Sequence, residues 1–382
     1  MVKRSFYFLF IFYGLVLFAL LLYSFTQVDL NLTLSKASVF QSLQKFFIQI
    51  GYFQRPLSTG LYLTLISLLF TFYFLLLWLV SQDKISGRQI WCLVGLSMGM
   101  LLFSYPAFSY DLFNYMFDAR IFTEYNLNPY HFKPLDFPYD PWTRFMHWTH
   151  RNYPYGPSWL ILTVPLSYLG FGKFLLTLLN FKILMAAAYV GAVYMTGKIL
   201  EKINPREKLL GMAFLAFNPL VIIESLVSAH HEIVMMFFAL WAIYLLVAGN
   251  RFHSLFSLAI SAGIKYATVF LFPLWFLGFR KNLAVILSVL TLIYISTQRE
   301  IQPWYFLWVL PLVALTCQNK LFTFLSFGFS FGLLLYYAPF LYLGHWNDPV
   351  PQIKFWVAII PVIIAFMLFL LFWRHKSLKK SL

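Results

Sequence analysis

Apolar runs of about 20 residues, first at about Phe6 to Phe25 and again at about Ser58 to Val80, restrict this chain more than any other feature. Such a run crosses the roughly 30 Å hydrocarbon core of a bilayer as a helix, and a helix satisfies its own backbone polar groups in lipid. With 61% hydrophobic and only 11% charged residues among 382, the chain falls far below the roughly 25% charge of soluble domains. It reads as an all-α, polytopic membrane protein.

Lys3 and Arg4 precede the first run and no small-residue cleavage site follows it, so a retained anchor with an inner N-terminus is expected. Between the first two runs, VDLNLTLS alternates at a strand-like period, and Phe40, Leu43, Phe46, Phe47 and Ile50 recur at helical spacing, as in a helix lying on the outer surface. Further spans are expected at about Ile90 to Tyr105, Lys173 to Leu200, Leu209 to Val227 and Glu232 to Ala248. Two short pieces meeting near Lys265 and Tyr266 follow, then spans at about Leu283 to Ser296, Trp304 to Thr316, Leu321 to Leu343 and Phe355 to Trp373. The apolar stretch after Pro157 is too short to span and reads as re-entrant or interfacial. This gives about 12 membrane segments with both termini inside.

Charge supports the orientation. Lys198, Lys202, Arg206, Lys208, Arg280, Lys281, Lys320 and the C-terminal RHKSLKK fall on inner loops, whereas ten of the 13 acids fall outside or near the outer face. No linker or repeat divides the chain, so residues 1–382 are expected to form one membrane domain: N-terminal spans to residue 105, an extracytoplasmic loop over 106–172, and a helical bundle over 173–382. The net charge of +15 lacks the aromatic-basic strand pattern of RNA binders, which argues against nucleic acid as a partner. Cys92 and Cys317 sit in separate apolar runs and offer neither a disulfide framework nor a CxxC site.

The longest polar interruption, Ser109 to Pro157, carries Asp111, Asp118, Glu124, Asp136 and Asp140. In a helix, Asp111, Tyr115 and Asp118 share one face. Two readings of Asp111 are open: a helix cap or interfacial ion pair, or a carboxylate that takes a proton from an acceptor hydroxyl. Asp118 either pairs with Arg120 or serves the same pocket. Arg144, His147 and Arg151 are spaced to share a helical face beside Trp142 and Trp148. Lys182 and Lys265 either snorkel to headgroups or, with Arg144, Arg151 or Arg299, clamp a lipid phosphate. His230, His231 and Glu232 lack the HExxH spacing of a zinc site, which leaves a proton relay or polar packing. Intramembrane and interfacial ionisable groups are costly, and these are all expected on one side, where a single outer pocket can hold them.

SYDLFNYMFDARIF with NLNPY and YPYGP, then FNPLVIIESLVSAHHE, SLAISAGIKYATVFLFPLWFL and PWYFLWVLPLVAL, resemble in this order the GT-C glycosyltransferases, above all the polyprenyl-phosphate-mannose-dependent mannosyltransferases. The resemblance covers about Ser104 to Leu315; the first two and last two spans match mainly by hydropathy. It implies a GT-C type membrane enzyme that moves one sugar, mannose by this likeness, from a polyprenyl-phosphate carrier to a hydroxyl of a glycan or glycolipid acceptor outside the cytoplasm, with inversion. Asp111 matches the family's loop acid in its SxD-xxxY context and would be the base. Asp118, Arg151, Lys182, His230, His231, Glu232, Lys265 and Arg299 would bind substrate. No cofactor or metal is demanded, since the donor carries one phosphate. A multi-pass protein of the inner cell membrane, with its site on the extracytoplasmic face, is expected. The rival reading is a transporter or flippase of a lipid-linked sugar, which predicts repeat symmetry and polar groups on both sides of the midplane.

Overall fold

The computed structural model describes the chain from residue 2 to residue 381, and side chains from residue 6 to residue 375. Lys3, Arg4 and the basic tail after His375 lie outside the described side chains. Among the described residues every regular element is helical. The helices are α1 (Val2–Ser24), α2 (Ser38–Ile48), α3 (Arg55–Ser81), α4 (Gly87–Leu101), α5 (Asp111–Thr123), α6 (Pro157–Tyr168), α7 (Phe174–Ile203), α8 (Lys208–Ala216), α9 (Pro219–Val221), α10 (Glu232–Val247), α11 (Arg251–Ile264), α12 (Leu274–Leu277), α13 (Lys281–Ser296), α14 (Leu310–Ala314), α15 (Lys320–Leu335), α16 (Ala338–Leu343) and α17 (Val350–Ser381).

Five segments are long and apolar enough to cross a membrane: Phe6–Gln27, Arg55–Ser81, Phe174–Ile203, Lys320–Leu343 and Val350–His375. Pro205–Ala216 and Pro219–Val227, bent by 50° at their junction, make a sixth if they form one span. The break falls where Pro219 cannot donate to the helix ladder and the Asn218 side chain accepts from Leu220 N–H, starting the chain afresh. Several other expected spans are apolar helices of 10–17 residues, among them Glu232–Val247 and Lys281–Ser296. By length and composition, then, five or six crossings stand where the sequence suggests about 12.

α17 is the most peripheral of these spans. Only 6% of its apolar window is buried, which leaves its outer face to lipid, and its inner face closes on α15 at Gly332, where a Cβ would lie 2.2 Å from the Ala358 carbonyl oxygen. Close approach through small residues is the usual means of joining helices where water supplies no driving force. α2 buries none of its residues, as expected of a surface helix. The alternating VDLNLTLS stretch pairs with no strand; Val28, Leu32 and Leu34 instead tuck into the bundle while Leu30 stays out.

At one end of the bundle the C-terminal ends of α1, α4, α11 and α15 meet α5, α6 and the start of α7. Tyr105 N–H donates to Ser24 Oγ at 2.9 Å, and Tyr23 Oη lies 3.1 Å from Ser58 Oγ. The opposite end holds Ile203 against Phe279, Arg280 and Lys281. α7, with 30 residues, carries about 45 Å between the two at 1.5 Å per residue.

Candidate active site

α5 builds the centre. Its sequence, DLFNYMFDARIFT, contains no Gly or Pro, and ten of its 13 residues are buried, so its polar face turns inward with its apolar one. Tyr110, not Asp111, occupies the cap position, and the first helical N–H, that of Asp111, donates to Ser109 Oγ at 3.2 Å. The capping reading of Asp111 therefore fails: its carboxylate stands at the first helical position and points at His230, with Oδ2 3.8 Å from Nδ1. One turn on, Tyr115 Oη lies 2.8 Å from His231 Nδ1. Two members of the shared face expected of Asp111, Tyr115 and Asp118 thus meet the two histidines.

The histidines arrive on a sharp reversal. Glu224 lies in a π-helical turn, Ile222–Val227, and Ala229 has φ +59°, a left-handed conformation that carries strain of order 1–3 kcal/mol in a residue other than glycine. His230 N–H then donates to the Glu224 carbonyl at 2.9 Å. The two side chains diverge: His230 stacks on Trp304 with centroids 4.0 Å apart, whereas His231 lies among Tyr115, Tyr155 and Trp159. Glu232 sits 3.2 Å from His231 Nδ1 through Oε2 and accepts from Lys265 Nζ at 2.5 Å through Oε1.

Lys265 reaches the cluster because α11 and the YPYGP loop touch backbone to backbone. A Cβ on Gly156 would lie 2.2 Å from the Gly263 carbonyl oxygen, and one on Gly263 2.2 Å from Ser158 Oγ. Gly156 N–H donates to the Ile264 carbonyl at 3.2 Å. Across this joint the Lys265 ammonium stands over Tyr305 and Trp308, 4.5 and 5.1 Å from the ring centroids, a favourable place for a cation.

Arg151 comes from the irregular chain between Met146 and Gly156. No helix forms there, so Arg144, His147 and Arg151 do not share a helical face: His147 stacks on Tyr110 at 3.8 Å. Arg151 packs over Trp148 and donates to Tyr155 Oη at 3.4 Å. Among the described residues it forms no ion pair, yet it lies near enough to Asp111 and Asp118 to pull both carboxyls down. Asp118 is not paired with Arg120 either, because Arg120 donates to Asp140 at 2.7 Å and faces Glu124 at 3.5 Å.

Burial sets the electrostatics. It pushes the Asp111 carboxyl from 3.8 up to about 6; Arg151 opposes this, Glu232 adds to it, and Lys265 and the neighbouring Trp148 side chain oppose it. Asp118 rises further, to about 8, by burial and the Asp111 charge against the pull of Arg151. Asp118 therefore keeps its proton to a higher pH than Asp111. Two carboxyls separated in this way can take different roles.

The least buried of these groups are Asp111, with 12% of its side chain exposed, Lys265, with 21%, and the half-buried Arg151. His230, His231, Glu232 and Glu224 lie behind them, each within 2% of complete burial. That placement sets His230, His231 and Glu232 behind the less buried groups. Lys182, also expected here, is committed elsewhere: Nζ donates to the Ser104 carbonyl at 2.6 Å, to Ser104 Oγ at 2.7 Å and to the Val227 carbonyl at 3.5 Å, tying α7 to the ends of two other segments. Arg299 is exposed on the chain after α13, with no ion pair among the described residues. No group of three His, Cys, Asp or Glu among the described residues is arranged to hold a metal ion.

Residues 13–281, about seven-tenths of the chain, match the family described as alpha-(1->6)-mannopyranosyltransferase, N-terminal domain. The chain belongs to this family. It is a mannosyltransferase with several helices apolar enough to span a membrane, and the transporter alternative is not favoured. No curated protein and no solved structure matches the chain. The mannosyltransferase match begins well before Ser104, so it takes in the later part of the first span and all of the second, and it ends before Arg299 and the PWYFLWVLPLVAL motif. Two residues of the site, Glu224 and Trp304, carry no site expectation from sequence. Glu224, an acid within an otherwise apolar helical segment, is the legible one; Trp304, an ordinary aromatic in an aromatic-rich chain, leaves no signal.

Proposed function

We propose that this mannosyltransferase takes mannose from a polyprenyl-phosphate carrier and places it on a hydroxyl of a glycan or glycolipid, on the extracytoplasmic face of the inner cell membrane. The observation that carries the reading is the placing of one carboxylate that caps no helix, Asp111, together with two cations, Arg151 and Lys265, as the least buried charges of the cluster. Asp111 orients the acceptor hydroxyl and takes its proton as the oxygen attacks the anomeric carbon. Arg151, free of any carboxylate partner among the described residues, and Lys265 hold the leaving phosphate, where fixed cations stabilise growing charge. A single displacement with the base and the leaving group on opposite sides inverts the anomeric centre. Asp118, neutral at pH 7, donates a hydrogen bond to the acceptor or to the sugar. A phosphate monoester leaves without a protonating acid, and the one phosphate is met by side-chain cations, so the reading needs no metal or cofactor.

Incubating purified protein with radiolabelled polyprenyl-phosphate mannose and a membrane lipid extract tests it. Label should move to a new product with inverted anomeric configuration. Transfer from a nucleotide sugar, with none from the lipid donor, would overturn the donor assignment.

A further inference from the structure

Behind Asp111 lie three polar atoms that hydrogen-bond to nothing else. His230 Nδ1 is 3.8 Å from Asp111 Oδ2, and His230 Nε2 is 3.4 Å from Glu224 Oε2. Neither ring nitrogen, nor Glu224 Oε2, has a hydrogen-bond partner within its own geometry, although His230 and Glu224 are completely buried. Buried polar groups without partners are rare, and leaving one unsatisfied costs about 1–3 kcal/mol. Here the unsatisfied atoms face each other in a row.

The row is held rigidly. Trp304 stacks flat on the imidazole, with planes 16° apart, the His230 N–H to Glu224 carbonyl bond fixes the backbones, and Tyr337 Oη donates to the other Glu224 oxygen at 3.0 Å. His231, next in sequence, is turned away to Tyr115 and Glu232 and joins no such row. The charged and titratable groups around the row are Glu232, His231 and Lys265 beside His230, and Tyr337 and Tyr62 beside Glu224.

We propose that His230 and Glu224 form a proton relay behind Asp111, with Glu224 the group that ends the reaction holding the proton of the acceptor hydroxyl. The inference rests on Asp111 being the base. The relay runs in the form in which Asp111 and Glu224 are both ionised and the neutral imidazole carries its proton on Nε2. As the acceptor oxygen bonds to the anomeric carbon, the bond from that carbon to the phosphate oxygen breaks and its electron pair leaves with the phosphate. The hydroxyl proton passes to Asp111 Oδ1 or Oδ2 and on to His230 Nδ1, while the Nε2 proton passes to Glu224 Oε2. Asp111 finishes as a carboxylate, the imidazole as its other neutral tautomer, and Glu224 as a neutral acid; the reverse path releases the proton once product has left. Gaps of 3.4 and 3.8 Å are long for formed hydrogen bonds, and such contacts in empty sites tighten when substrate binds.

Glu224→Gln tests the relay, because the amide still accepts from Tyr337 but cannot take a proton. In the lipid-donor assay, kcat should fall by about tenfold or more while the donor KM stays within about twofold. The proton inventory in mixed light and heavy water, bowl-shaped for the wild type because several protons move together, should become linear. Tyr337→Phe, which keeps the Glu224 carboxyl and removes only its support, should keep the curvature. Wild-type kcat in Glu224→Gln, or a loss of kcat with the curvature intact, would overturn the relay. If Glu224→Gln does not fold, His230→Gln replaces it, and wild-type turnover there has the same force. Asp111→Asn separates the two levels: an active Asp111→Asn removes the base reading itself, whereas an inactive Asp111→Asn beside a fully active Glu224→Gln removes only the relay.

Discussion

Asp111→Asn should make this protein less active without making it less stable, and the structure gives the size of both effects. The carboxyl titrates at about 6 in the folded chain against 3.8 for the free side chain, a difference of roughly 3 kcal/mol. The sign follows from burial, the largest cause. Between about pH 4 and pH 6 the folded state keeps a proton that the unfolded state has released; above about pH 6 both are charged and the folded state carries the whole penalty. Replacing the carboxylate by a neutral amide of the same size removes that penalty at pH 7, and no helix cap is lost because Asp111 is not one. Midpoints of thermal unfolding in detergent at pH 7 should therefore be equal to or above wild type. Turnover should fall by about 10²–10⁴-fold, the usual contribution of a general base, equivalent to about 3–5 kcal/mol of barrier. The wild-type rate should fall with decreasing pH below about 6, as Asp111 protonates. Near-normal transfer by Asp111→Asn would refute the assignment, and so would a loss of activity matched by a fall in the unfolding midpoint.

Lys265→Ala should raise the donor KM or slow transfer, whereas Lys182→Ala should reduce the yield of folded protein, because it strips the buried Ser104 carbonyl of its donor at about 1–3 kcal/mol; donor titration and unfolding midpoints on both variants separate the two roles. Asp118→Asn should keep turnover at pH 7 within about tenfold, since Asp118, titrating at about 8, is already neutral there; a kcat measurement at pH 7 that finds a larger loss would mean its charge is used. In a cysteine-free background, cysteine in place of the exposed Tyr139 should react with an impermeant thiol reagent on intact cells and cysteine in place of Arg206 should not, because the two flank opposite ends of α7; labelling at position 206 alone would invert the orientation.

The all-helical architecture was legible in the residues themselves. A run such as Phe6 to Phe25 can satisfy its backbone in lipid from within itself only as a helix, so its conformation follows from composition and length. The span count was less legible, because breaks such as Asn218-Pro219 and the bend that follows it depend on how each half packs, which hydropathy does not record. Within the site, the face shared by Asp111, Tyr115 and Asp118 follows from helical periodicity, a local property of α5. Which cations join that face does not. Lys182 and Lys265 look alike in sequence, each a lone Lys in an apolar run, yet one is spent on backbone carbonyls and the other meets Glu232. That difference was decided by the Gly156 to Gly263 contact, which brings α11 against the loop carrying Arg151. The Asp111, His230 and Glu224 row was decided in the same way, by a left-handed turn at Ala229 and a stacked Trp304. Contacts between residues far apart in the chain depend on where whole helices come to rest, and only the packed bundle fixes that.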